Sequence, residues 1–165
     1  MSETPRRRIT LERVFRAGLD DVWALWTTAD GIESWWGPEG FSVTVRSLDL
    51  RPGGGMRYVM TATAPETIAF MEKAGLPLAT EARVTFTDVQ KMRRLTHVTL
   101  VDFVPGVAPY PNTTDVKLTE TTGGVHMVLT IDAMHDEAWT GRALQGRESE
   151  LRKLDALMAA RGAKV

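Results

Sequence analysis

The chain contains no cysteine, which excludes disulfides, thiolate nucleophiles, zinc knuckles and iron–sulfur clusters by arithmetic alone. Excess charge of either sign is also missing. Lys and Arg total 20 against 21 Asp and Glu, for a formal net charge of −1, so there is no basic field of the kind that nucleic-acid binding needs, and neither DNA nor RNA is expected as a partner. No stretch approaches the roughly 18–20 apolar residues of a membrane span. The polar N-terminus ends in Arg6, Arg7 and Arg8 with no apolar signal core behind it. That basic run reads as a solvated leader to the first strand, and the expectations are no membrane partner and a cytoplasmic location.

What the chain does have is the composition of a globular protein, 43% hydrophobic and 25% charged over 165 residues. That length suits one domain, residues 1–165, with a substantial core. Ile9 to Ala17 reads as a strand. Asp20 or Asp21 can cap a short helix carrying Val22, Trp23, Leu25 and Trp26, and Asp30 starts a second with Ile32, Trp35 and Trp36, stopped by Gly37 and Pro38. From Phe41 the period is two, through Val43, Val45, Leu48 and Leu50; a glycine turn at 53–55 then leads back through Met56, Tyr58 and Met60. Ala64 to Thr80 predicts a proline-started helical excursion. Further strands are expected around Ala82–Phe86, Leu95–Phe103, Val116–Thr121 and Val125–Ile131. The proline-rich loop between Phe103 and Thr113 is expected to carry Tyr110 on a rim. A last helix runs from about Asp136 to Arg161, with Leu144, Leu151, Leu154 and Met158 on one stripe.

An antiparallel sheet with one apolar face must bury it, and only the last helix, nearly 40 Å long at about 1.5 Å per residue, is large enough to do so. The two short helices close one end. A helix across a concave sheet tends to leave a cavity, the usual place for a small ligand.

The run Val22-Trp23-Ala24-Leu25-Trp26 leads to Trp35-Trp36-Gly37-Pro38, Gly40-Phe41 and Asp49-Leu50-Arg51-Pro52-Gly53-Gly54. With Met134-His135-Asp136-Glu137-Ala138-Trp139-Thr140 and the Gly146–Leu154 helix pattern, it resembles bacterial proteins similar to the C-terminal domain of the activator of Hsp90 ATPase. These belong to the START-like, Bet v 1-like (SRPBCC) superfamily. The resemblance covers nearly the whole chain. It implies an α+β helix-grip fold: a curved antiparallel sheet of about six or seven strands, two short helices after strand one, and a long C-terminal helix. The superfamily includes lipid and hormone carriers and polyketide cyclases, so the fold is implied more firmly than the chemistry.

One departure matters. Such proteins often carry Gly-Trp in the last helix, where this chain has Gly146-Arg147. Arg147 falls on the apolar stripe, and a charge there is costly without a partner. Two readings are open: an internal pairing with Glu150 or Asp132, or a donor fork presented to an anionic or carbonyl group of a ligand. The density of Trp23, Trp26, Trp35 and Trp36 reads mainly as packing, with Trp35 or Trp36 reaching the pocket mouth. Gly141 and Gly146 are unfavourable inside a helix, so they suggest close approach of another element or a space left for something.

The expected ligand-binding set is Trp35, Trp36, Phe41, Tyr58, Met60, Phe86, Phe103, Tyr110, Trp139 and Arg147, around a small hydrophobic molecule. His97, His126 and His135 have no metal-ligand spacing, so no metal site, cofactor or catalytic residue is expected. Binding, carriage or sensing is preferred over a cyclase, dehydratase or hydrolase, which would need a converging titratable pair. An Hsp90 partnership is disfavoured because no additional N-terminal domain is present. A homodimer is compatible with the sequence, which does not decide the matter.

Overall fold

The computed structural model of the chain describes residues 7–102 and 104–162. Phe103 and the first part of the basic leader lie outside the described residues. The elements in chain order are β1 (Arg8–Phe15), α1 (Leu19–Thr27), α2 (Ala29–Glu33), β2 (Phe41–Leu48), β3 (Gly55–Ala62), α3 (Pro65–Lys73), β4 (Ala79–Gln90), β5 (Arg94–Val101), β6 (Tyr110–Thr121), β7 (Gly124–Asp132) and α4 (Glu137–Gly162). The seven strands form one sheet in the order β1-β7-β6-β5-β4-β3-β2. Every neighbouring pair is antiparallel. This is a helix-grip fold.

Alternation along the strands sets which residues face α4. Phe86 on β4 stands opposite His97 on β5, His97 opposite Thr114 on β6, and Thr114 opposite Ile131 on β7, giving one inward row across the sheet. A second inward row joins Leu95, Val116 and Leu129, all buried. Register shifts at Val45/Ser47 and Phe86/Asp88 mark bulges, which bend strands and raise local twist, so the sheet can curve around a helix. At the β2 edge, the Glu33 carboxylate accepts a 2.8 Å hydrogen bond from the Val45 amide, covering one otherwise open edge donor.

The tryptophans of α1 and the segment after α2 fill the closed end. Trp26 and Trp35 are packed edge-on with ring centroids 4.7 Å apart. Trp35 donates its indole N–H to the Leu25 carbonyl at 2.8 Å, and Trp26 donates to Met127 Sδ at 3.3 Å. Leu151, Leu154 and Met158 from the second half of α4 complete this dry core.

The structure corrects the expected start of β6, the rim position of Tyr110 and the caps of both short helices. β6 begins at Tyr110 rather than near Val116; Pro111 lies opposite Leu100 and does not break the pairing. Tyr110 is therefore not on a rim but buried, 4% exposed, with its hydroxyl 2.7 Å from His135 Nδ1. The first helix is flanked by Gly18 and has no side-chain cap, so Asp20 and Asp21 lie inside its first turn, where the helix dipole favours them. The second helix is capped by the Thr28 side chain, which accepts from the Gly31 amide.

Leu154 of α4 is fully buried and belongs to the hydrophobic core. Leu154→Ala is expected to cost about 2–5 kcal/mol through lost transfer energy and a residual void, measured as a lower midpoint in urea denaturation.

Candidate functional site

The site is organised by the segment between α2 and β2, which grips the middle of α4. Gly37 has φ +85°, and a Cβ there would sit 3.2 Å from Val43 Cγ2, so this turn requires glycine. Its amide donates to Glu150 Oε2 at 2.8 Å, and the Glu39 amide donates to Ser149 Oγ at 2.7 Å. Lys153 Nζ donates to the Trp36 and Gly37 carbonyls at 3.2 and 2.9 Å, and burial lowers its pKa against the opposing pull of Glu150 and Glu39. On the other flank Arg13 reaches Glu148 and Asp155, each at 3.2 Å.

Above this grip the interior becomes polar. Arg147 Nη2 donates to Thr114 Oγ1 at 2.9 Å, and Arg147 Nη1 lies 3.5 Å from Glu150 Oε1. The side chains of Arg147 and Glu150 keep 21% and 13% of their surface accessible. Of the two internal partners expected for Arg147, the structure selects Glu150. Asp132 instead accepts from the Thr113 amide at 2.9 Å and meets Arg8 at 3.4 Å.

Beside this pair lies an aromatic group. The Trp36 and Tyr58 rings meet edge-on at 5.4 Å, Trp36 lies 5.8 Å from the His97 ring, and Phe86 meets His97 edge-on at 6.4 Å. Among the described residues, Trp36 Nε1 and both ring nitrogens of His97 are buried without a hydrogen-bond partner. Each such group costs roughly 1–3 kcal/mol of lost hydration. Burial, and secondarily the Arg147 charge, push the His97 pKa down to about 3, so the imidazole is neutral. Burial first, then the Glu150 carboxylate, raise the Tyr58 pKa to about 12, with Arg147 opposing. Its phenol therefore stays protonated.

Of the residues expected to bind ligand, Trp36, Tyr58, Phe86 and Arg147 come together here. Phe41 and Met60 flank Gly37: a Cβ on that glycine would lie 3.6 Å from Phe41 Cβ and 3.8 Å from Met60 Cγ. Trp35 belongs to the dry core. Tyr110 and Trp139 form a separate group around His135 at the start of α4, with the His135 and Trp139 rings 5.8 Å apart and Arg142 stacked 5.0 Å over the Trp139 ring. Sequence reasoning missed His97 and Thr114. The readable signal was alternation, since Leu95 and His97 share a parity on β5.

This geometry can be set beside known proteins. The sequence model of the Activator of Hsp90 ATPase homolog 1-like protein family matches residues 16–159. The chain belongs to that family. A protein from Chromobacterium violaceum has a similar structure, with a TM-score of 0.74 at 20% identity, covering 92% of this chain and 96% of that one. An AHSA1 protein from Silicibacter pomeroyi gives 0.68 at 23% identity, with coverage of 94% and 99%. An AHSA1-like protein from Aeromonas hydrophila gives 0.66 at 24%, with coverage of 92% and 94%. These likenesses establish the fold. No curated protein matches the chain. Among the described residues no helix is long and apolar enough to cross a membrane, and no cluster of metal-ligating side chains occurs.

The depressed His97 pKa has a definite sign in stability. Between about pH 6.5 and pH 3 the unfolded chain binds a proton that the folded imidazole does not, so the contribution is full above pH 6.5 and is lost as pH falls. The slope is up to about 1.4 kcal/mol per pH unit. Urea denaturation is expected to show that the native protein loses about 1–2 kcal/mol more than His97→Leu between pH 7 and pH 5.

Proposed function

We propose that the protein binds, and carries or senses, a small hydrophobic molecule between the concave sheet face and the first half of α4. The observation that supports this reading most is the unequal packing along that helix. In its second half Leu151, Leu154 and Met158 are buried, whereas Ala143, Leu144, Gly146 and Arg147 in and beside its first half all keep accessible surface. Tyr58 and Met60, on the inward-facing side of β3, also keep accessible surface. A Cβ added at Gly146 would meet nothing within 4 Å. Tyr58, Met60 and Leu144 pack against the core yet stay only partly covered, and we read these positions, with Arg147, as the wall of a partly apolar, partly polar recess of the kind that suits ligand binding. The family's fold is consistent with that role. In this reading the whole chain acts as a single domain.

Native mass spectrometry of the protein purified from its own host should reveal a co-purified molecule of a few hundred daltons. Consistent absence of one would count against the reading. Gly146→Leu separates folding from binding. It removes a helix-interior glycine at a position with free space, so helix stability should rise by up to about 1 kcal/mol while occupancy by the co-purified molecule falls. Gly141→Ala, also free of neighbours within 4 Å but exposed, should stabilise without changing occupancy.

A further inference from the structure

Resting on that reading, we propose that the bound molecule carries a carboxylate, and that Arg147 and Tyr58 hold it at the polar end of the recess while its apolar portion runs along Met60 and Leu144. Arg147 is the first ground. A guanidinium has five N–H donors, and among the described residues this one makes a single hydrogen bond, to Thr114. Its contact with Glu150, at 3.5 Å, lies beyond the usual length of a charge-assisted hydrogen bond, about 2.7–2.9 Å. Most of the fork therefore makes no bond among the described residues, and with 21% of the side chain accessible it is open to an acceptor from outside the chain.

Tyr58 is the second ground. Its hydroxyl has no hydrogen-bond partner among the described residues, yet it lies within electrostatic reach of both Arg147 and Glu150. A phenol that stays protonated donates to an anion rather than repelling it. Together the phenol and the free guanidinium edge supply donors of two geometries to one pair of ligand oxygens.

Charge is the third ground. Glu150 is already engaged at Oε2 by the Gly37 amide, and Lys153 sits on the same helix face with its ammonium on the Trp36 and Gly37 carbonyls. Glu39 also acts on Lys153 and is itself paired with Arg152, so Arg147, Lys153 and Arg152 against Glu150 and Glu39 leave one positive charge, and neutral His97 adds none. One carboxylate balances that sum; a cationic or purely hydrocarbon ligand does not.

The test uses the full chain, calorimetric titration at about pH 8, where an ordinary carboxylic acid is ionised, and three probes of one skeleton: decanoate, methyl decanoate and decanol. Decanoate is expected to bind roughly tenfold or more tightly than the two neutral probes. Removing Arg147 alone would orphan the partly buried Glu150 carboxylate, so the informative variant is Arg147→Met combined with Glu150→Gln, where the amide oxygen can still accept from Gly37. In that variant decanoate should fall to the level of the ester. Tyr58→Phe, which keeps the ring against Trp36, should weaken decanoate several-fold and leave the ester unchanged. Equal binding of all three probes to the native protein, or a decanoate preference that survives both variants, would overturn the carboxylate inference and leave the apolar-ligand reading standing. If no probe binds but native mass spectrometry finds a bound molecule without a carboxyl group, the inference again fails alone. If no probe binds and no molecule co-purifies, both fail.

Discussion

Glu150 joins the fold to the site. One carboxylate oxygen accepts the Gly37 amide at 2.8 Å and the other faces Arg147 at 3.5 Å, so the same side chain fixes the loop after α2 against α4 and sets the electrostatics of the interior above it. The first of these contacts depends on backbone that only glycine adopts easily, with φ +85° at Gly37 and a tight 3.2 Å approach to Val43 for any Cβ. Trp36 is carried by the same turn, so its position beneath Tyr58 and beside His97 follows from the same junction. A shift of that loop would move the aromatic wall, the carboxylate and the Lys153 cap together.

This junction divides the interior. The C-terminal half of α4 contributes Leu151, Leu154 and Met158 to the buried core that also holds Trp26, Trp35, Leu95, Val116 and Leu129, where apolar burial stabilises the fold. Toward the N-terminal half the inward positions are Tyr58, His97, Thr114 and Arg147, and polar groups there exceed the partners available to them. Buried polar groups are normally satisfied, and the exceptions among the described residues concentrate here: the Trp36 indole N–H and both His97 nitrogens. A core built only for stability would carry apolar residues at these positions, since replacing both members of a polar pair by well-packed apolar groups is often neutral or stabilising.

The sequence carried the first half of this division more clearly than the second. Period-two alternation and glycine turns marked the strands, and the Leu151, Leu154, Met158 stripe marked the buried face of α4, because dry packing leaves a periodic signature. Pro111 misdirected the reading of β6: a proline beside an expected loop looks like a strand breaker, yet it stands opposite Leu100 in a continuous strand. Tyr110 was misplaced for that reason. Arg147 was visible because it interrupts an apolar stripe, and Glu150, three residues along the same helix, was within reach as a partner. His97 carried no such contrast. A histidine in an alternating strand is ambiguous until the register places it opposite Phe86 and Thr114. The Gly37–Glu150 contact spans 113 residues, and no local pattern encodes a partner at that separation.

An arginine at a position where the family resemblance implies tryptophan bears on what this interior is shaped for. An indole at that position would fill volume and present a single N–H donor, whereas a guanidinium leaves volume and presents a fork. The surroundings suit a guanidinium. Thr114 on the facing strand offers an acceptor at 2.9 Å, Glu150 offers a counter-charge, and Gly146 beside it contributes no side chain at all. Arg147 nonetheless keeps donors that no group among the described residues accepts, on a side chain that is 21% accessible. Selection for stability alone would favour either the aromatic or a tighter ion pair. A guanidinium with donors left over, beside a helix position where a Cβ would meet no atom within 4 Å, has the geometry to bond an acceptor that is not part of the chain.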